Sequence, residues 1–446
     1  MKQRDLTKGS ITGNLMLFAL PLMAGNFLQQ CYNIADTLIV GRYLGANALA
    51  AVGSSYTLMT FLTSILIGMC MGSGAVFSIR FGEQDHKKLK EGILHSFGLI
   101  AAMTVVINVL VYAGLPLILK VLQVPAEVVP YMRTYLLVIF AGISATFLYN
   151  YFAALLRAVG NSVVPLIFLA VSTVLNIVLD LLFVLGFGWG VAGAAGATVL
   201  AQFVSGIGIT VYTLIRFPEF RLSREELHFD KRVLGEIAQL SFLTCLQQSV
   251  MNFGILMVQG RVNSFGTAVM AAFAAVKIDS FAYMPVQDFG NAFSTFIAQN
   301  YGAGKEKRIS QGIKSAVTAA FVFCLVISAA VCAFAAPLMG IFVNASQTEI
   351  ISIGVGYLRI EGAFYFGIGL LFLLYGYYRA VKMPGMSVIL TILSLGTRVV
   401  LAYTLSAVPA IGVTGIWASV PIGWALADIV GVTYYWKKMR RKSELG

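Results

Sequence analysis

Residues 157–193 read RAVGNSVVPLIFLAVSTVLNIVLDLLFVLGFGWGVAG, and residues 379–415 read RAVKMPGMSVILTILSLGTRVVLAYTLSAVPAIGVTG. Both open on Arg-Ala-Val, run through a long apolar stretch and close on Gly-Val-x-Gly, 222 residues apart throughout. Tyr135-Leu136 and Tyr357-Leu358 keep that spacing. Towards the N-terminus it drifts. Phe81-Gly82, Lys87-Lys88 and Gly92-Ile93 return as Tyr301-Gly302, Lys307-Arg308 and Gly312-Ile313 at offset 220, and Leu28-Gln29-Gln30 returns as Leu246-Gln247-Gln248 at offset 218. A duplicated half altered by small insertions produces such drift. Two repeated halves in an apolar chain are a common plan for a membrane transporter whose lobes rock about a shared site.

Composition agrees. Hydrophobic residues make up 59% of the chain and charged ones 11%, with a mean hydropathy of +0.85; a soluble domain carries about 25% charged residues. Stretches near the roughly 20 residues that cross a hydrocarbon core fall at 15–40, 48–76, 93–116, 131–153, 163–186, 191–216, 237–262, 268–298, 313–336, 353–380, 384–406 and 412–436. The expected fold is therefore an all-α integral membrane protein of twelve transmembrane helices. Six fall in each lobe, 1–222 and 223–446. An even number per lobe means that both halves enter the membrane from one side, as a parallel repeat.

Loop charge sets the orientation. With the N-terminus inside, 24 basic residues lie on the inner side, and only Arg42, Lys120, Arg133 and Arg261 lie outside. The positive-inside rule then puts both termini in the cytoplasm. The +12 net charge finds its counterpart in anionic lipid headgroups, so no nucleic-acid partner is expected. Cys31, Cys70, Cys245, Cys324 and Cys332 all lie within spans and read as small apolar residues. The first apolar segment contains Asn26, Gln29, Gln30, Asn33 and Asp36, so it reads as a retained helix and not a signal peptide.

An ionisable side chain at the centre of a span costs about 2.5–3.5 kcal/mol on insertion scales and so marks function by default. Asp36 lies near the outer end of span 1. On span 5, Asn176 and Asp180 sit one turn apart on one face, in the outer half. Thr198 lies two turns below the outer end of span 6. Two carboxylates, an amide and a hydroxyl thus reach a similar depth, where they can share a proton or hold a small cation through oxygen ligands. Two unrelated helix-end acids facing water are the plain alternative.

The second half does not repeat this set, since Asn176 becomes Arg398 and Asp180 becomes Ala402 at the matching offset. It carries instead Lys277 and Asp279 on span 8 and Arg359 and Glu361 on span 10. These read either as cross-helix salt bridges or as a coupling site. Asp288 and Asp428 lie nearer the cytoplasmic ends and read as water-facing or helix-pairing groups. Pro21 removes a backbone bond in span 1 and permits a bend, either static or mobile. Gln29, Gln30, Tyr32, Gln247 and Gln248 are polar enough to line a cavity.

Taken together, Pro21 with Asp36-Thr37 and Val40-Gly41, the loop Gly82…Lys87-Lys88 with its twin Gln299-Asn300-Tyr301-Gly302-Ala303-Gly304, and Arg157-Ala158-Val159-Gly160-Asn161 with Pro165 ahead of Asn176 and Asp180 resemble the multidrug and toxic compound extrusion (MATE) family over essentially the whole chain. The resemblance implies two six-helix bundles in a V-shaped arrangement, with antiport of organic cations or amphipathic drugs against H⁺ or Na⁺. It places cation coupling at Asp36, Asn176, Asp180 and Thr198, and a helix-1 bend at Pro21. Some branches carry a coupling Glu on span 7, whereas this chain reads Thr244-Cys245-Leu246-Gln247-Gln248 there.

A lipid-linked saccharide flippase of the same wider superfamily is the alternative; such proteins commonly have a more cationic centre than the mixed charges here. An enzyme is not expected. His86, His95 and His228 lie at or near loops, and no HxxxH or CxxC spacing exists, so no catalytic set, metal site or cofactor is read. The expected protein is a monomeric exporter of the plasma membrane.

Overall fold

The computed structural model describes residues 4–121, 124–221, 229–275, 279–341 and 343–445, and every regular element among them is helical. The first half forms α1 (Ile11–Leu44), α2 (Ala46–Gly82), α3 (His86–Val121), α4 (Val129–Ile139), α5 (Ile143–Ala158), α6 (Val163–Asp180) and α7 (Gly190–Arg216). The second forms α8 (Lys231–Asn263), α9 (Thr267–Ala275), α10 (Ser280–Gly302), α11 (Glu306–Ala333), α12 (Ala335–Gly340), α13 (Thr348–Gly362), α14 (Tyr365–Ala380), α15 (Pro384–Leu405) and α16 (Thr414–Leu445). In lipid, helices satisfy their own backbone groups, which is why long apolar runs fold this way.

Among the described residues, ten helical spans are long and apolar enough to cross a membrane. The pair α13 and α14, bent by 51° at a short break, makes an eleventh. The chain is thus an all-α, multi-span membrane protein. The expected run 268–298 falls on α9 and α10, with residues 276–278 between them outside the described residues.

The duplication is written into the backbone. The break between α4 and α5 is the 3₁₀ turn Phe140–Gly142, and about 222 residues on, the break between α13 and α14 falls at 363–364. Left-handed backbone recurs at matched sites: Gln84 (φ 58°) and Gly304 (66°), Gly160 (84°) and Lys382 (61°), Gly190 (59°) and Gly412 (53°). Only glycine adopts such angles without a steric penalty. The turn geometry is kept even where the residue is not glycine.

The chain forms two compact units. Unit 1 comprises residues 1–6 and 20–245, and unit 2 comprises residues 7–19 and 246–446. Compared with the lobes expected from the repeat, each unit takes in the first part of the other half's leading helix. Helix α1 changes unit between Ala19 and Leu20, and α8 does so between Cys245 and Leu246.

Small residues set the closest approaches within each unit. A Cβ on Gly206 of α7 would lie 2.6 Å from the Ala145 carbonyl oxygen of α5, and one on Gly376 of α14 would lie 2.6 Å from the Gly290 carbonyl oxygen of α10. Lipid supplies little hydrophobic drive between helices, so such backbone-to-backbone packing carries much of the cohesion. The start of α8 lies on α2 in the same way, with Gly72 against Leu240 and Ser241. A buried Ser73–Ser241 hydrogen bond of 2.9 Å and the Arg80–Glu236 ion pair fasten it. Asp288 and Asp428 are both buried, which removes the water-facing reading and leaves a role inside the helix packing.

Candidate functional site

Helix α6 ends at Asp180 and runs directly into a π-helical segment, Leu181–Gly186, closed by Phe187 N–H donating to the Leu182 carbonyl at 2.9 Å. Wide turns of this kind re-aim the side chains beside them. Phe183 packs its ring on Phe187 and Trp189, at 5.9 and 4.8 Å between centroids. Trp189 N–H donates to the Phe183 carbonyl at 2.9 Å. The end of α6 is thereby held in one orientation.

Helix α1 lies close by. A Cβ on Gly25 would meet Leu169 of α6 at 3.4 Å, and the helix carries Asp36 to the level of Asp180. Asp36, Asn176, Asp180 and Thr198, all in unit 1, are buried, so the expected set is assembled from α1, α6 and α7. The reading of two unrelated, water-facing acids falls away.

Oriented by its surroundings, as amides must be, the Asn176 side chain donates from Nδ2 to Asp180 Oδ2 at 3.0 Å. Its Oδ1 accepts from the Thr198 backbone N–H and hydroxyl, both at 3.2 Å. The Thr198 hydroxyl also lies 3.2 Å from the Ala194 carbonyl and 3.2 Å from the Tyr32 hydroxyl. Because Thr198 has one proton to give, the Tyr32 hydroxyl completes the chain by donating to Thr198 Oγ1.

The two acids lie within electrostatic reach of each other. Like charges so placed repel, which favours a proton or cation shared between them. Asp36 Oδ1 and Asp180 Oδ1 are buried and accept nothing from the protein. The charged groups that act on this pair are the acids themselves, with no basic side chain among them in the described residues. A proton or a small cation bound by oxygen ligands is the chemistry that such a set can perform.

Tyr135 of α4, buried and within electrostatic reach of both acids, was not named as a site residue from sequence. One signal pointed to it: Tyr135-Leu136 survives in both halves. Its counterpart Tyr357 on α13 donates to Asp279 Oδ2 at 3.1 Å and makes an edge contact with Trp417 at 4.9 Å.

Around Tyr357, unit 2 gathers two buried acids, Asp279 and Glu361. Arg359 does not join them, being exposed, because it lies two residues from Glu361 and so points away around the helix. The basic group within electrostatic reach of both acids is Arg398, the repeat counterpart of Asn176. Lys277 lies outside the described residues.

Of the polar candidates, Tyr32 joins the acid site, Gln29 is exposed, Gln30 and Gln248 are half-buried, and Gln247 is buried in unit 2. Pro21 lies inside α1, two residues past Ala19, where the helix leaves unit 2.

Comparison with known proteins adds three findings. The MatE family model matches residues 21–182 and 241–404, one block in each half. The chain is 31% identical to the probable multidrug resistance protein YpnP of Bacillus subtilis, over 100% of both chains. It is 27% identical to the probable multidrug resistance protein NorM of Thermotoga maritima, over 94% of this chain and 90% of the relative. Among solved structures, MATE in the bent conformation aligns with a TM-score of 0.91 at 23% identity, covering 99% of this chain and 98% of that one. MATE in the straight conformation aligns at 0.89 and 24%, covering 99% of each. These likenesses concern the fold.

Proposed function

The chain belongs to the multidrug and toxic compound extrusion (MatE) family, and we propose that it is a secondary exporter of organic, cationic or amphipathic compounds, driven by exchange for H⁺ or Na⁺. The relatives named as multidrug resistance proteins support the substrate class. The observation that carries the coupling is the juxtaposition of Asp36 and Asp180 from two helices, buried and, among the described residues, without a basic group acting on them. In this reading the protein has twelve spans, sits in the plasma membrane as a monomer and has both termini in the cytoplasm, as the loop charges favour.

Two adjacent buried carboxylates repel when both are ionised, so the pair keeps at least one exchangeable cation. Binding it draws Asp36 on α1 towards Asp180 on α6; releasing it drives them apart. Inverting a two-state population from 1:99 to 99:1 takes about 5.5 kcal/mol. One buried charge is worth about 2.5–3.5 kcal/mol on insertion scales. Changing the charge of the pair therefore supplies a large share of the switch, and substrate contacts supply the remainder. Helix α1 transmits it by bending at Pro21, beside the point where it passes from one unit to the other.

The cluster in unit 2 is assigned a structural role, since Arg398 gives it a fixed counter-charge that the pair in unit 1 lacks.

Proteoliposomes loaded with a fluorescent organic cation and given separate H⁺ and Na⁺ gradients test the function. Efflux that follows one gradient supports ion-driven export. Efflux that follows neither refutes it.

A further inference from the structure

His95 lies in the third turn of α3, buried, with both ring nitrogens engaged. Nδ1 is 2.7 Å from the Glu91 carbonyl oxygen. A carbonyl can only accept, so Nδ1 carries the hydrogen. Nε2 is 2.9 Å from the backbone N–H of Asp230. A backbone N–H can only donate, so Nε2 is bare. One protonation state satisfies both bonds, the neutral imidazole with its hydrogen on Nδ1.

Asp230 is the residue that starts α8. Its Oδ1 accepts from Arg232 N–H at 2.7 Å, and its carbonyl accepts from Leu234 N–H at 3.0 Å. In a capping box, the side chain three residues on accepts the N–H of the capping residue itself. Here that position is Val233, which has no acceptor. His95 supplies one from another helix, and Phe229 lies against its ring at 5.5 Å.

We propose that His95 is a proton-operated latch that holds the first turn of α8 onto α3 only while the imidazole is neutral. A proton on Nε2 turns the acceptor into a donor facing a donor, and buries a cation beside it. The bond to Asp230 is then lost, and the start of the second half's leading helix is released from α3. Adding that proton is what breaks the bond, so acidification is the trigger. Among the described residues, the charged groups near this point on the adjoining elements include Lys90 and Glu91 on α3, Glu219 and Arg221 at the turn Pro218–Phe220, Lys231 and Arg232 on α8, and the ion pairs of Arg80 with Glu83 and with Glu236. Asp230 is the acid next to the ring, and its carboxylate accepts from the Arg232 backbone N–H. The latch works on α8 whatever the cargo, so it stands apart from the export reading.

The test is hydrogen exchange of residues 229–236 in the full-length protein in lipid nanodiscs, between pH 8 and pH 5, corrected for the intrinsic pH dependence of exchange. Protection should fall about tenfold, the scale of one lost hydrogen bond to a charged or buried partner. In His95→Gln, which keeps a donor and an acceptor but cannot be protonated, it should stay level. A fall of equal size in both proteins, or none in the wild type, overturns the latch. Should the variant not fold, ¹⁵N imidazole spectra of the wild type decide: a hydrogen on Nδ1 at pH 8 agrees, and one on Nε2 refutes. Neither readout depends on transport.

Discussion

Asp36 on α1 and Asp180, the last residue of α6, are both buried and lie within electrostatic reach of each other, with Asn176 donating to Asp180 and Tyr32 reaching Thr198. Asp36→Asn and Asp180→Asn keep the shape and much of the hydrogen bonding but cannot exchange a charge. Both variants should reach the membrane folded and show gradient-driven efflux at background. Near-normal efflux from either would remove the pair from the coupling step.

Tyr32→Phe takes away only the hydroxyl that meets Thr198. One neutral hydrogen bond is worth about 1 kcal/mol, so efflux should drop roughly fivefold and not vanish. Asn176→Ala should cost more, because it leaves Asp180 Oδ2 without its donor. Initial rates at saturating substrate would rank the two, and the reverse order would count against the network.

Pro21→Ala restores the missing donor in α1 and removes the reason for a bend. Binding of an organic cation should persist while turnover falls, since release needs the helix to switch between two shapes. Binding and efflux measured on the same preparation check this. Unchanged efflux would make Pro21 a static kink.

Gly160 and Lys382 hold equivalent left-handed turns, at φ 84° and 61°. A Cβ on Gly160 would overlap the Arg4 carbonyl oxygen, so Gly160→Ala should lower thermal stability by more than the 1–2 kcal/mol of left-handed strain alone. Lys382→Gly relieves strain and should be neutral or mildly stabilising, by up to about 1 kcal/mol. Melting curves in one detergent would compare them.

Lys87 and Lys307 are exposed in the repeat-related first turns of α3 and α11, and Ala126 is exposed on a loop that the proposed orientation puts on the opposite, basic-poor side. Impermeant thiol reagents should label Lys87→Cys and Lys307→Cys only from the cytoplasm and Ala126→Cys only from outside. Labelling of Ala126→Cys from the cytoplasm would invert the proposed orientation.

The sequence alone determined that the chain is an all-helical membrane protein, that its halves repeat, and which spans carry acids. These are local or additive properties: hydropathy summed over some 20 residues, turn residues at matched offsets, and the one-turn spacing that places Asn176 and Asp180 on one face. Partnership was decided only in three dimensions. Spacing along one span such as α6 tells which residues share a face, but not which other helix that face meets or how the helix is rotated against it. That rotation is set by neighbours: Gly25 against Leu169, the π turn after Asp180, and the break at Phe140–Gly142. It brought Tyr135 and Tyr32 to the acid site, turned Arg359 outward and put Arg398 near Asp279 and Glu361. The passage of α1 from one unit to the other beside Pro21 is likewise a matter of packing, because it depends on which distant helices each turn touches.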